Sequence, residues 1–280
     1  MLITIVAILL AVALALIYNR WVWRPGQHSG RLVPDGLQIK EIAGPLASLA
    51  VMLLAFVLVQ SFSSWSSAGR AEASEATATL LLFREADLID NPRSRQDVRR
   101  QVVCYATSVI EQDWPAMREA QVSNVPAYWA TSIRRTAIRQ VRSGADETAG
   151  AAIIARDAEQ VTARQERLSE ALTSVPPVMY FLLLSAVAVA LLIVGVVTAK
   201  GVSAAVHAIV VGAAAVVFAG TLLMIGDLDQ PYDGITGRDP TRTAFVLDQM
   251  KEDVTGGLPC DGQGLPKDAP LFRPQTDELS

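Results

Sequence analysis

The chain has 280 residues, 51% of them hydrophobic and 19% charged, with a formal net charge of −4. A charged share below the usual quarter, without net positive charge, sets aside a polyanion-binding protein, and no nucleic acid partner is expected. Two cysteines and two histidines are too few for a conventional zinc cage. The sequence has no phosphate-binding glycine loop, nucleophile elbow or zinc-protease motif, so no enzymatic activity is expected.

The apolar residues gather in four blocks long enough to cross a bilayer. Residues 2–18 form the first. No basic residue precedes it, as a secretory signal would require, whereas Arg20, Trp21, Trp23 and Arg24 follow it as an interfacial anchor. It therefore reads as a retained span. Residues 42–62 form the second block, with Gln60 its one strongly polar side chain. Residues 178–198 form the third, entered through Pro176 and Pro177, and residues 202–225 the fourth. None carries Asp, Glu, Lys or Arg, which argues against a proton-coupled transporter or pump. His207 has no acidic partner in its span and reads as a packing residue. Gly195, Gly201, Gly212 and Gly220 suit close helix packing in or beside the last two spans.

The short loops set the orientation. Arg20, Arg24, Arg31 and Lys40 crowd the first, and Lys200 lies in the last. Basic short loops stay in the cytoplasm. The segment between the second and third spans, and the C-terminal tail, are then extracytoplasmic.

The middle segment lacks strand-like alternation. A helix is predicted from Ala68 to Ile89, continuing the second span. Asn91 and Pro92 form a helix start, cap followed by first-position proline. Val98, Val102, Tyr105 and Val109 then make an apolar stripe at helical spacing. Asp113, Trp114 and Pro115 are expected to break that helix, with the Trp114 ring buried between helices. A shorter helix is predicted over 127–142, ended by Ser143 and Gly144, and a last one over 147–174. In the last helix Ile154, Val161, Leu168 and Val175 recur every seven residues, with Ala158, Gln165 and Leu172 between them. That heptad seam is expected to pack on the helix following Ala68; a subunit contact is the alternative.

The fold class is therefore an all-α polytopic membrane protein with four transmembrane helices and a helical extramembrane domain. Residues 1–62 hold two spans and their loop, 63–177 the helical domain, 178–226 the other two spans, and 227–280 an acidic turn and tail. An even number of spans separates Cys104 from Cys260, so both lie in one compartment. Outside the cytoplasm a disulfide persists, and a bridge between them is expected to tie a flexible Gly- and Pro-rich tail to the helix carrying Val98. The alternative is two unrelated thiols, with Cys104 a buried small hydrophobe.

Asp227, Asp229 and Asp233 could supply oxygen ligands to a hard cation such as Ca2+, the one cofactor considered. The same stretch, with Pro231, Tyr232 and Gly234, also reads as ordinary turn chemistry. Glu72, Glu75 and Glu85 lie on the extension of the second span. Repeated around a ring of subunits they would select cations; otherwise they are solvated residues paired with Arg70 and Arg84. Phe56 and Phe62 could form an apolar constriction. The pore or gate set is Phe56, Gln60, Phe62 and Glu75.

Several short stretches occur in a telling order. They are Glu75-Ala76; Tyr105, then Asp113-Trp114-Pro115 and Met117; Arg164 and Arg167-Leu168; and Asp229-Gln230-Pro231-Tyr232-Asp233-Gly234. From about residue 42 to 250 this order resembles the bacterial bestrophin-like membrane proteins of the DUF4239 group. That group usually has Glu at position 113 and Phe at position 232, so Asp113 and Tyr232 keep the chemical type. The resemblance implies kinship with bestrophins, pentameric anion channels with four spans per subunit. In bestrophins an acidic calcium-binding run follows the last span; here Asp227, Asp229, Asp233 and Asp239 are dispersed. Bestrophins also keep the middle segment in the cytoplasm, opposite to the loop charges here. The expected function is an oligomeric ion channel with the second span lining the pore. The alternative is a non-conducting membrane scaffold or accessory subunit that binds a partner protein through its helical domain and tail. The expected partners are the lipid bilayer and further copies of the chain or a membrane protein complex.

Overall fold

A computed structural model describes residues 13, 17, 39–144, 147–172, 175–198, 203–268 and 276–278. Apart from residues 13 and 17, the predicted first span lies outside the described residues, as do Arg20, Arg24, Arg31 and Lys200. Helix α1 is Ile39–Glu85, and a 3-10 turn Ala86–Leu88 follows it. Helix α2 is Pro92–Ser108, continued by a π turn Val109–Asp113 into α3, Trp114–Arg118. Strand β1 is Gln121–Ser123, α4 is Val125–Ser143 and α5 is Glu147–Leu172. Then come α6 (Pro177–Thr198), α7 (Ala204–Leu228), α8 (Thr241–Glu252) and strand β2 (Thr276–Glu278). The chain forms two compact units, Met1–Ser63 with Val175–Asp229, and Ser64–Ser174 with Gln230–Ser280. The tail thus joins the middle segment instead of standing apart.

Three described helices, α1, α6 and α7, are long and apolar enough to cross a membrane. Helix α6 opens on Pro177, whose missing N–H costs nothing at a first helical position. The fourth predicted block begins too early, because Ser203 is the cap of α7: its side chain accepts from Val206 N at 3.4 Å. In the first unit Leu54 and Val57 of α1 form a core with Leu183, Val187 and Leu191 of α6 and Leu222 and Ile225 of α7. Many larger side chains point outward instead. Met52 is 72% exposed, Phe56 67%, Val59 67%, Phe181 72% and Val216 72%. Withdrawing one such side chain from water is worth roughly 1.5–3 kcal/mol, so this surface belongs in hydrocarbon or against other helices. His207 is a packing residue, as expected: it is buried, and Thr198 Oγ1 lies 3.1 Å from its Nδ1. That hydroxyl donates to Val194 O at 2.6 Å.

In the second unit Asn91 caps α2, accepting from Arg93 N at 3.0 Å and Ser94 N at 3.4 Å. Val98, Val102, Tyr105 and Val109 are all buried in one core with Trp114, Trp129, Ile133 and Ile153. The helix does not break at Asp113-Trp114-Pro115. It widens, and Trp114 N–H reaches five residues back to Val109 O. The π turn takes up the register just where Pro115 lacks an N–H, so the chain stays helical to Arg118. It leaves at Ala120, with φ of 55°. Helix α4 ends as predicted at Gly144, with φ of 68°.

Helix α5 packs mainly on α4, not on the extension of α1 as expected. Its fully buried line is Ile153, Asp157, Gln160 and Arg167. The apolar heptad lies one position away, and Ile154, Val161 and Leu168 are only partly buried at the edge of the core. Asp157 and Arg167 go inside because they find ionic partners there; Asp157 pairs with Arg134 Nε at 2.6 Å.

The tail, expected to be flexible, is docked from α8 through residue 268. Cys104 and Cys260 form a disulfide, with Cα atoms 5.7 Å apart. Trp129 Nε1 donates to Gly264 O at 2.7 Å and Gln112 Nε2 to Gln263 O at 3.2 Å. Gly264 has φ of 77°, and a Cβ there would lie 2.6 Å from Ser108 Cα. Only glycine lets the tail sit this close to α2. Strands β1 and β2 pair antiparallel, Gln121 opposite Glu278.

Candidate functional site

Arg167 on α5 is the centre of a charged network sealed inside the second unit. Its side chain is fully buried. Nε and Nη2 donate to Glu75 of α1, and Nη2 also to Asp113 Oδ2 at 2.8 Å. Nη1 reaches Met117 Sδ at 2.9 Å, and the Trp114 ring stacks against the guanidinium at 5.0 Å. Tyr105 of α2 donates its hydroxyl to Glu75 Oε1 at 2.5 Å. Arg164, one turn before Arg167, grips Asp113 through Nε and Nη2, both at 3.1 Å. Asp113 Oδ1 also accepts from Ser123 N at 3.2 Å, and Arg164 donates to Ser123 O at 3.1 Å. The π turn presents Asp113 to this group.

Two arginines face two carboxylates, so the network is electrically neutral. Burial works against the charge on Arg167, but Glu75 and Asp113 outweigh it and hold its pKa above the usual arginine range. Burial, then the neighbouring Glu75 charge, raises Tyr105 well above an ordinary tyrosine. Arg167 and Tyr105 therefore keep their protons near neutral pH. The chemistry of the network is to fasten α1, α2, α3, β1 and α5 together.

The turn after α7 is strapped onto the same unit. Tyr232 is buried, its ring edge against Trp114 at 5.5 Å and its hydroxyl donating to Arg167 O at 3.4 Å. Burial raises its pKa. Pro231 is buried, and Gly234 takes a φ of 86° that favours glycine. Trp114 Nε1 donates to Arg238 O at 2.9 Å. The Arg238 guanidinium lies 3.8 Å from the Trp65 ring centre, flat against Gly69, where a Cβ would come within 2.4 Å of it. Trp65, Gly69 and Arg238 were not singled out from sequence. Trp65 and Gly69 are one turn apart on α1, and that spacing of a large and a small residue was the available signal.

The acidic pore residues need correcting. Glu75 is 1% exposed and committed to Arg167 and Tyr105, so it faces no conduit. Glu72 is buried too, its Oε1 accepting from Arg242 N at 2.9 Å. Arg70 turns to Ser66 and Ser67, and Glu85 pairs with Arg156 at 3.7 Å, so the expected pairs with Arg70 and Arg84 are not the ones made. Phe56, Gln60 and Phe62 of α1 are exposed. Of the proposed metal ligands, Asp229 accepts from Val175 N at 2.7 Å. Burial pushes its carboxyl up, against that hydrogen bond. Asp227 is half-buried at the end of α7, and Asp233 is exposed. Among the described residues no three His, Cys, Asp or Glu side chains cluster as a metal site.

The family model of the bestrophin-like domain matches residues 5–241. No curated protein matches the chain by sequence. Among solved structures, a bacterial Bestrophin homolog from Klebsiella pneumoniae, phased on zinc, superposes with a TM-score of 0.70 at 12% identity, covering 90% of this chain and 99% of that one. A single-substitution variant from the same organism gives 0.69 at 13% identity, covering 91% and 99%. A structure described only as a membrane protein gives 0.68 at 13% identity, also covering 91% and 99%.

Proposed function

This chain belongs to the bestrophin-like family, and from that premise we propose that it is the subunit of a homo-oligomeric ion channel. Residues 2–18 supply a fourth span beside α1, α6 and α7, and α1 lines the path. The observation that carries this reading is the outward apolar face of α1: Phe56 is 67% and Phe62 55% exposed in a single chain. One chain cannot enclose a conduit with such a face. Several copies with α1 toward a common axis bury it and make an apolar neck, which gates by dewetting. Glu72 and Glu75 are consumed within the subunit, so they supply no selectivity ring. The second unit is extracytoplasmic in this reading. The Cys104–Cys260 bridge supports that side, since disulfides persist in oxidising compartments, and so do the basic short loops.

The test is reconstitution of the purified chain into liposomes, with subunit stoichiometry measured in the same preparation. The expected result is a closed homo-oligomer passing ions, with flux raised by Phe56→Ala or Phe62→Ala. Ion-tight liposomes for the wild type and both variants would overturn it. The scaffold reading is favoured by one observation: no ionisable side chain lies on α1 between Gly44 and Ser63. A hetero-complex without flux would select it.

A further inference from the structure

Outside the membrane-length helices, the largest exposed apolar side chain among the described residues is Phe245 of α8, at 65%. Arg242 stands one turn before it and Gln249 one turn after, both exposed, so the three share a face of α8. The other face, with Val246, Leu247 and Met250, is buried. Glu72 answers both Arg238 and Arg242, so a single carboxylate faces two cations and this end of the helix stays positive.

A groove of about 430 Å3 runs between α1 and α5 of the same unit, from Arg70 to Leu81 on one wall and along Glu159 and Ala163 on the other. Its remaining walls are the short side chains of Ala73, Ser74, Thr77 and Ala78. Short residues facing a gap leave room for a ring that they do not fill. A neighbouring hollow shares Ser74, Glu159 and Ala163 with the groove and adds Thr162 and Glu166. Glu159 is already paired with Arg156 at 2.8 Å. Glu166 is exposed, and its carboxylate has no hydrogen bond or ion pair among the described residues. Arg70, at the other end, is turned to Ser66 and Ser67.

Knob and groove stand at one level along α1. Arg242 N is bonded to Glu72 at 2.9 Å, and Met250 shares a hollow with Leu80 and Phe83. Phe245 therefore lies alongside residues 72–80 of α1, within the 70–81 range that the groove covers. We propose that Phe245 and Arg242 of one copy dock in the α1–α5 groove of the next copy. This rests on the homo-oligomer reading, in which copies are related by rotation about an axis along α1. Such a rotation moves nothing along the axis, so only features at equal level can meet. Phe245 fills the space over Ala73, Ala78 and Ala163, and Arg242 pairs with Glu166. Knob and groove are different surfaces of one chain, so the contact is head-to-tail and closes as a ring.

The test is cross-linking of the full-length protein in detergent, with particle mass measured by light scattering on the same sample. Thr162 of α5 and Gln249 of α8 are exposed, and the two native cysteines are bonded to each other, so Thr162→Cys and Gln249→Cys supply the only free thiols. A bis-maleimide should turn the double variant into a ladder of linked chains up to the full oligomer, and neither single variant should give one. Adding Phe245→Ala should slow linking by about tenfold or more, the scale of withdrawing one such ring from water. Glu166→Arg should slow it about threefold, as for an ion pair near the surface. Phe245 and Glu166 are both exposed, so neither change disturbs the core. An oligomer that yields no ladder, or whose linking rate ignores Phe245→Ala, would overturn this inference and leave the oligomer reading standing. Linked dimers from a single variant would also overturn it, since they mark a symmetric contact. A monomer by mass would overturn both.

Discussion

Removing Arg167 tests whether the buried network holds the second unit together. Arg167→Met keeps length and apolar bulk but takes away every donor to Glu75 except the Tyr105 hydroxyl. Asp113 loses one bond and keeps Arg164 and Ser123 N. The damage therefore falls on Glu75, left as a buried carboxylate with a single donor. Breaking a buried pair from one side costs about 3–5 kcal/mol, or roughly two to four powers of ten in the folding equilibrium. The double variant Glu75→Gln with Arg167→Met removes both charges, so it should lose less than the two single losses combined. Chemical unfolding in detergent, followed by far-UV circular dichroism, measures the losses. A loss under 1 kcal/mol at neutral pH, or a double variant no better than the sum, would refute the argument.

Gly264→Ala should lower the melting temperature and loosen the tail, because the added Cβ meets Ser108 Cα at 2.6 Å in a left-handed conformation; limited proteolysis reads the release. Asp157 is raised by burial, against the opposing bond from Arg134. Its contribution should be lost as pH rises from the unfolded value through the raised one, and Asp157→Asn should flatten that slope in thermal unfolding. For topology, Arg31→Cys should resist impermeant thiol reagents in intact cells while Thr131→Cys labels; the reverse pattern inverts the assignment. Calcium should leave the wild-type melting temperature unchanged, since Asp229 is engaged by Val175 N and Asp233 is exposed. A calcium-dependent rise abolished by Asp229→Asn with Asp233→Asn would make the acidic turn an ion site.

The helices of the first unit were legible because hydrocarbon imposes a length and bars charges, and both are local properties of sequence. The start of α2 was legible for the same reason: Asn91 and Pro92 act within one turn. Pro115 shows where local rules stop. Proline in a helix interior ordinarily breaks it, yet the π turn absorbs the misfit. That solution depends on Asp113 and Trp114 being drawn to partners 51 and 124 residues away in sequence.

The same limit governs the site. Eight motif residues of the family resemblance, Glu75, Tyr105, Asp113, Trp114, Met117, Arg164, Arg167 and Tyr232, meet in one buried group. Their order along the chain was visible, but not their convergence, because each contact spans a separation at which sequence carries no geometric signal. The error over α5 follows from this. A heptad count rewards Ile154, Val161 and Leu168 for being apolar and penalises Asp157 and Arg167 for being charged. A charge moves inside when its opposite is already waiting there, and Arg167 finds Glu75 on one side and Asp113 on the other. Glu75 was misplaced for the matching reason: on α1 alone it is a solvated acid pointing away from an apolar span. A ring of such acids needs their carboxylates free. Their consumption inside the chain leaves the aromatic face of α1 as the feature on which the proposed channel reading rests.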